Sequence, residues 1–333
     1  MRLLLTLVVL GAALWSGYWA VAARGLETGL AAWVEARRAE GWAADYAALE
    51  VAGFPTRFDI AFDGLMLADP DTGLAWSAPG FRIEAAAHRP NRITAIWPKA
   101  QQIATPAEKI AIGAARMEGQ LAFRPGPALE VAHASYVLDQ VSLASTLGWQ
   151  ASMAQAELGS AAVEGRKNAH RIAFSAEEMR PPARLVALLD RAGVLPALFE
   201  HVRIEAVLDF DAPWDRHAIE DRRPQITRIE LGGLDAKWGD LELRAAGDLD
   251  VDAEGLPAGL LTVRATNWRE MVAIARGSGR LPPGLADRVE DALGLLAGLG
   301  GRPETLDIPL RFAAGQTWLG PVPVGPAPDF TIR

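Results

Sequence analysis

Past Met1 and Arg2, the residues from Leu3 to Ala23 carry no charge, and Thr6 and Ser16 are the only aliphatic hydroxyls among them. At 1.5 Å per residue, roughly 21 helical residues reach about 30 Å, the thickness of a bilayer's hydrocarbon core. Trp15, Tyr18 and Trp19 gather at the far end and Arg24 closes the run, as expected of residues that favour a membrane interface. Residues 1–24 therefore read as a transmembrane anchor. The alternative is a cleavable signal peptide, because Ala20-Val21-Ala22 resembles a small-residue cleavage site. Either reading exports the remainder of the chain.

The period then becomes helical and amphipathic. Leu26, Leu30, Trp33 and Val34 recur at three- and four-residue spacing, so residues 25–44 predict a surface helix. Gly25 and Gly29 make a break from the anchor as reasonable as a continuous helix.

Beyond Asp45 the period falls to two. Phe58, Ile60 and Phe62 alternate with Arg57, Asp59, Ala61 and Asp63, the pattern of a strand with one buried face. Similar runs cover 81–87, 92–97, 116–123, 129–134, 136–143, 170–174 and 202–210. Gly and Pro separate many of them, as at Asp69-Pro70-Asp71, Arg124-Pro125-Gly126-Pro127 and Gly232-Gly233, which predicts consecutive antiparallel hairpins. The plainest hairpin joins Gly247–Val251 to Pro257–Val263. Pro181 and Pro182 open a helical stretch near 183–200 that divides two β-rich parts, 45–180 and 181–333, and further helices are expected near 268–278 and 284–299. The fold class is mainly β (α+β): an N-terminal transmembrane helix, then long antiparallel meander sheets, curled or sandwiched, with a few amphipathic helices.

Composition narrows the chemistry. With 333 residues the chain has material for a large core, and a net charge of −8 supplies no basic field for nucleic acid. The absence of cysteine removes disulfides, thiolate metal sites and thiol nucleophiles. Asp248, Asp250, Asp252 and Glu254 suggest a calcium loop, but Ala253 and Gly259 stand where such a loop needs Gly and Glu, and strand alternation explains the acids without a metal. His88, His133, His170, His201 and His217 form no metal-ligand pair, and His217 with Glu220 and Asp221 reads as a polar loop. No nucleophile elbow, phosphate loop or dinucleotide fingerprint is present. No catalytic residue, cofactor or metal is expected. Trp76, Trp97, Trp149, Trp214, Trp238, Trp268 and Trp318 fit core and sheet-edge packing better than carbohydrate or lipid stacking.

Several pieces coincide: the anchor, Gly53-Phe54-Pro55-Thr56-Arg57-Phe58, Trp76-Ser77-Ala78-Pro79, His88-Arg89-Pro90-Asn91-Arg92-Ile93, the hairpin at 247–263, Asn267-Trp268, and the ending Leu319-Gly320-Pro321-Val322-Pro323-Val324-Gly325-Pro326-Ala327-Pro328. Together they resemble domain-of-unknown-function family 2125, over almost the whole chain. That family is similar in style to AsmA-type envelope proteins, in which one helix anchors a periplasmic β-sheet. The resemblance implies a single-pass inner-membrane protein with a periplasmic C-terminal domain, a role in envelope lipid traffic, and no catalytic residue to carry over.

The leading expectation is a non-enzymatic protein that binds or shuttles lipid on an apolar sheet face, since a long one-faced meander must cover that face somehow. Phe58, Ile60 and Phe62 are candidate lining residues, with core packing as their competing role. Trp15, Tyr18, Trp19 and Arg24 are the candidate membrane-interface residues. Two alternatives stand beside it: a scaffold recruiting an envelope protein through the helix near 285–299, and a hydrolase that uses paired carboxylates.

Overall fold

The computed structural model describes residues 1–189, 193, 195–220, 222–277, 283–299, 304–320 and 322–332. The chain forms two compact units: residues 1–125 with 136–148, and residues 126–135 with 149–333. The helix-bearing stretch after Pro181 lies inside the second unit.

The first unit opens with α1 (Arg2–Ala39), 38 residues without interruption at Gly25 or Gly29. Neither glycine is pressed by neighbouring atoms, so each costs the helix only its propensity, about 1 kcal/mol. Antiparallel strands follow: β1 (Ala43–Asp45), β2 (Ala48–Ala52), β3 (Arg57–Ala68), β4 (Ala75–Ala86), β5 (Arg89–Ile96), β6 (Ala100–Ala104), β7 (Lys109–Gly113) and β8 (Arg116–Phe123). β9 (Val131–Ser145) contributes its part from Tyr136 onward, where Ile110 to Gly113 of β7 pair with Ser145 to Ser142. The two runs expected at 129–134 and 136–143 are therefore one strand, and Gln140 takes up its irregularity with φ +51°.

The second unit is a meander. β10 (Gln150–Ala162), β11 (Ala169–Met179), β12 (Phe199–Phe210), β13 (Ile226–Trp238), β14 (Leu241–Val251), β15 (Pro257–Thr266), β16 (Thr305–Ala313), β17 (Gln316–Leu319) and β18 (Val322–Pro326) each pair antiparallel with the next. Short helices α2 (Ala183–Leu189) and α3 (His217–Glu220), then α4 (Trp268–Gly277) and α5 (Pro283–Leu299), interrupt the strands.

Two expectations need correction here. Of the helical stretch expected near 183–200, Ala183–Leu189 is helix, residues 195–198 are not, and Phe199 already belongs to β12; residues 190–192 and 194 lie outside the described set. Gly232-Gly233 is not a turn between strands but a bulge inside β13, where the register against β14 slips between Leu231 and Leu234. The extra residue returns Leu231 and Leu234 to the same face, which an unbroken alternation would not permit.

The hairpin of β14 and β15 forms as expected, with Val251 opposite Pro257. Leu249 and Val251 are buried, whereas Asp248 and Asp250 are exposed and bond Arg228. Asp252 accepts the backbone N–H groups of Glu254 and Leu256, so this acid builds the turn.

Tryptophans serve packing throughout. Trp76, Phe81, Trp97 and Tyr136 form a chain of edge contacts with centroids 5.7, 5.3 and 5.3 Å apart. Trp268, 1% exposed, and Val272 seat α4 against Val289 and Leu293 of α5.

Candidate functional site

The joint between the apolar helix and the first unit is built from α1 itself. Its residues Leu3 to Leu14 stand clear as exposed apolar side chains, and this helix is long and apolar enough to cross a membrane. From Trp19 the helix turns one stripe, Trp19, Ala22, Ala23, Leu26, Leu30 and Val34, toward the protein. The three- and four-residue spacing keeps that stripe on one face.

Phe58, Ile60 and Phe62 lie beneath this stripe. They are 1%, 5% and 5% exposed and pack with Trp19, Leu26, Leu30, Leu49 and Val51. The apolar face of β3 is covered by the chain's own helix, and these three residues are core.

Trp15, Tyr18 and Trp19 anchor the same joint with polar contacts. Trp15 Nε1–H donates to Pro55 O at 2.8 Å, Trp19 Nε1–H to Arg57 O at 2.8 Å, and Tyr18 O–H to Ala87 O at 3.0 Å. Trp19 also stacks on Phe58 with centroids 5.8 Å apart and meets the edge of Phe54 at 5.4 Å. The aromatic cluster thus fastens the helix to two turns, 53–56 and 87–88, while Trp15 and Tyr18 keep about two-fifths of their surface exposed. Arg24 points outward from the helix as an exposed side chain.

In the second unit the two faces of the meander differ sharply. Cross-strand partners share a face, and one row across it reads Leu158, Phe174, Ile204, Leu234, Ala245, Val263 and Ile308. The adjacent row reads Ser160, Ile172, Ala206, Leu231, Gly247, Leu261 and Leu310. At one side this face is covered by α4 and α5 through Trp268, Val272, Val289, Leu293 and Ala297; at another Phe330 and Ala327 pack over Ile229, Leu249, Val251 and Phe312. Along the row, Leu158 is 45% exposed, and Phe174, Ile204, Leu234 and Val263 are half-buried. No sequence argument could locate this patch, because its members come one from each strand.

The opposite face is charged and paired. Arg203 bonds Glu177, Arg244 and His201 both meet Asp235, Arg264 forks onto Asp307, and Arg166 grips Glu230 and Asp209. A groove of about 600 Å³ runs over the Gly232-Gly233 bulge between Arg203, Arg244, Arg264, Glu205, Asp235 and Asp307. Hydrogen bonding from His201 and the charge of Arg244 hold the Asp235 carboxyl below its ordinary value, against the opposing effect of burial. Arg166 does the same for Glu230. The displaced carboxyls, Asp69 and Asp211 included, all shift downward, toward permanent anions and away from the protonated form a general acid needs. Among the described residues no three His, Asp or Glu side chains gather in a way that could hold a metal ion.

The helix expected to recruit a partner, α5, spends Val289, Leu293 and Ala297 on the core; the side chains of Leu285, Leu296 and Leu299 lie outside the described set. Asp221, placed with His217 and Glu220 in a polar loop, also lies outside it.

No curated protein and no solved structure matches the chain. A family model does, that of an uncharacterized protein conserved in bacteria, over residues 19–328. The match takes in the second half of α1 and both β-rich units, so the chain belongs to the bacterial family DUF2125.

Proposed function

We propose that this is a single-pass inner-membrane protein whose periplasmic β-domain binds lipid acyl chains, in the service of envelope lipid traffic. The observation that carries the reading is the uncovered stretch of the second unit's apolar face, Leu158, Phe174, Ile204 and Leu234. Four adjacent strands at about 4.8 Å spacing span about 14 Å, close to one leaflet of a hydrocarbon core of about 30 Å. Half-exposed Phe, Ile and Leu side chains in one row form a long apolar contact surface, and the floor carries no charged side chain.

The anchor reading rests on the exposed apolar residues of α1, and the orientation on Arg2, ahead of the apolar run, lying on the cytoplasmic side. The test uses the full-length chain in liposomes with a photoactivatable fatty-acyl phospholipid, followed by mapping of the crosslinked peptides. Crosslinks on β10 to β13 that vanish in Phe174→Glu support the reading; crosslinks confined to α1 remove it.

A further inference from the structure

We infer that the turns 53–56 and 87–88 seat the first unit in the membrane interface, with Phe54 and Pro55 entering the acyl boundary of the bilayer; this rests on the anchor reading above. The first argument is length. Only Leu3 to Leu14 extend beyond the protein, and at 1.5 Å per residue these roughly 12 residues reach about 18 Å of the about 30 Å a bilayer core requires. Arg2 closes the apolar run on the other side, so the remaining stretch comes from the uncharged residues after Leu14. Those include Trp15 and Tyr18, bonded to Pro55 and Ala87 in the two turns, and Trp19, bonded to Arg57 at the start of β3. A bilayer that covers this part of α1 therefore reaches Pro55 and Ala87 as well.

The second argument is the chemistry of the turns. Phe54 is 55% exposed and held on edge against Trp19, and Pro55 has no N–H to lose. Carbonyl after carbonyl is satisfied from within the protein. Gly53 O accepts the N–H groups of Thr56 and Arg57, Thr56 O that of Ala87, and Pro55, Arg57 and Ala87 O the three aromatic donors. An aqueous turn needs no such provision, because water would bond those carbonyls; a turn in the acyl boundary does. Exposed His88 and Arg89 follow directly, cationic or protonatable groups suited to anionic headgroups, while exposed Arg57 is paired with Asp59.

Because the chain contains no cysteine, single-cysteine variants carry one fluorophore each. Full-length Leu7→Cys, Phe54→Cys, Thr56→Cys and Asp71→Cys are labelled with an environment-sensitive dye, placed in liposomes containing anionic phospholipid, and quenched with nitroxide-bearing lipid. Asp71 lies in the turn at the other end of β3. The inference expects blue-shifted emission and several-fold stronger quenching at positions 7, 54 and 56 than at 71. Quenching at 7 alone, with 54 and 56 as wet as 71, overturns the seating while leaving the anchor. Water-like emission at 7 overturns both. Thr56→Cys reads the same depth if removal of the Phe54 ring disturbs the turn.

Discussion

Trp19 is the side chain on which the coupling of α1 to the first unit turns, and Trp19→Ala should loosen it measurably. The ring is half-buried between Phe54 and Phe58. Burying half of a 150–250 Å² ring at about 25 cal/mol per Å² contributes about 2–3 kcal/mol. Two aromatic contacts and the bond to Arg57 O bring the expected loss to about 3–4 kcal/mol, allowing for overlap between these contributions. Trp19→Phe keeps most of the stacking and removes the donor, so it should cost only about 1–1.5 kcal/mol. Trp15→Ala, at a site 38% exposed with a bond to Pro55 O, should show a comparable loss of about 2–4 kcal/mol by the same area argument. Denaturant titration of the full chain in detergent, read with hydrogen exchange over β2, β3 and residues 19–34, measures all three. A loss below about 1 kcal/mol for Trp19→Ala would refute the packing argument, and equal losses for Ala and Phe would assign the joint to the hydrogen bond instead.

Other outcomes follow from the second unit. Gly247 has φ +148°, and a Cβ there would stand 2.2 Å from Leu260 O, so Gly247→Ala should destabilise by at least about 3 kcal/mol. Gly159→Ala, where the nearest atom is 3.8 Å away, should stay within about 1 kcal/mol of the parent in the same melt. The carboxyls of Glu230 and Asp235 lie below their ordinary 4.5 and 3.8 in the folded protein, so their contribution to stability is complete above about pH 4–5 and fades as acid is added. Asp235→Asn should melt below the parent at pH 7 and converge with it as the pH falls through the lowered pKa of Asp235; a gap that widens on acidification would contradict this. Arg166→Leu should lower the melting temperature more than Arg166→Lys, because Asp209 then loses its cation and Glu230 keeps only Arg228.

Strong local periodicity was legible. The run Arg116–Phe123 and the hairpin after Gly247 stand where alternation puts them, and α4 begins at Trp268 as the pattern predicts. β10 escaped, because Gln, Ala, Met and Glu in Gln150–Ala162 are good helix formers; pairing of Gln155–Ala162 with β11 overrides that preference. Gly232-Gly233 was misplaced as a turn, since two glycines mark a bulge and a hairpin equally well until the partner strands are known.

The order of hydrophobic and polar residues alone determined the exposed apolar helix, the period-two body and the lack of a recognisable catalytic motif, because each is a property of neighbours along the chain. Which apolar residues end up covered was decided only in three dimensions. Phe58, Ile60 and Phe62 carry a stronger apolar signature than Leu158, Phe174, Ile204 and Leu234, yet the first three are sealed under α1 and the latter four keep exposed surface. Alternation tells a strand which side to hide, and only the packing of distant segments says whether anything arrives to hide it.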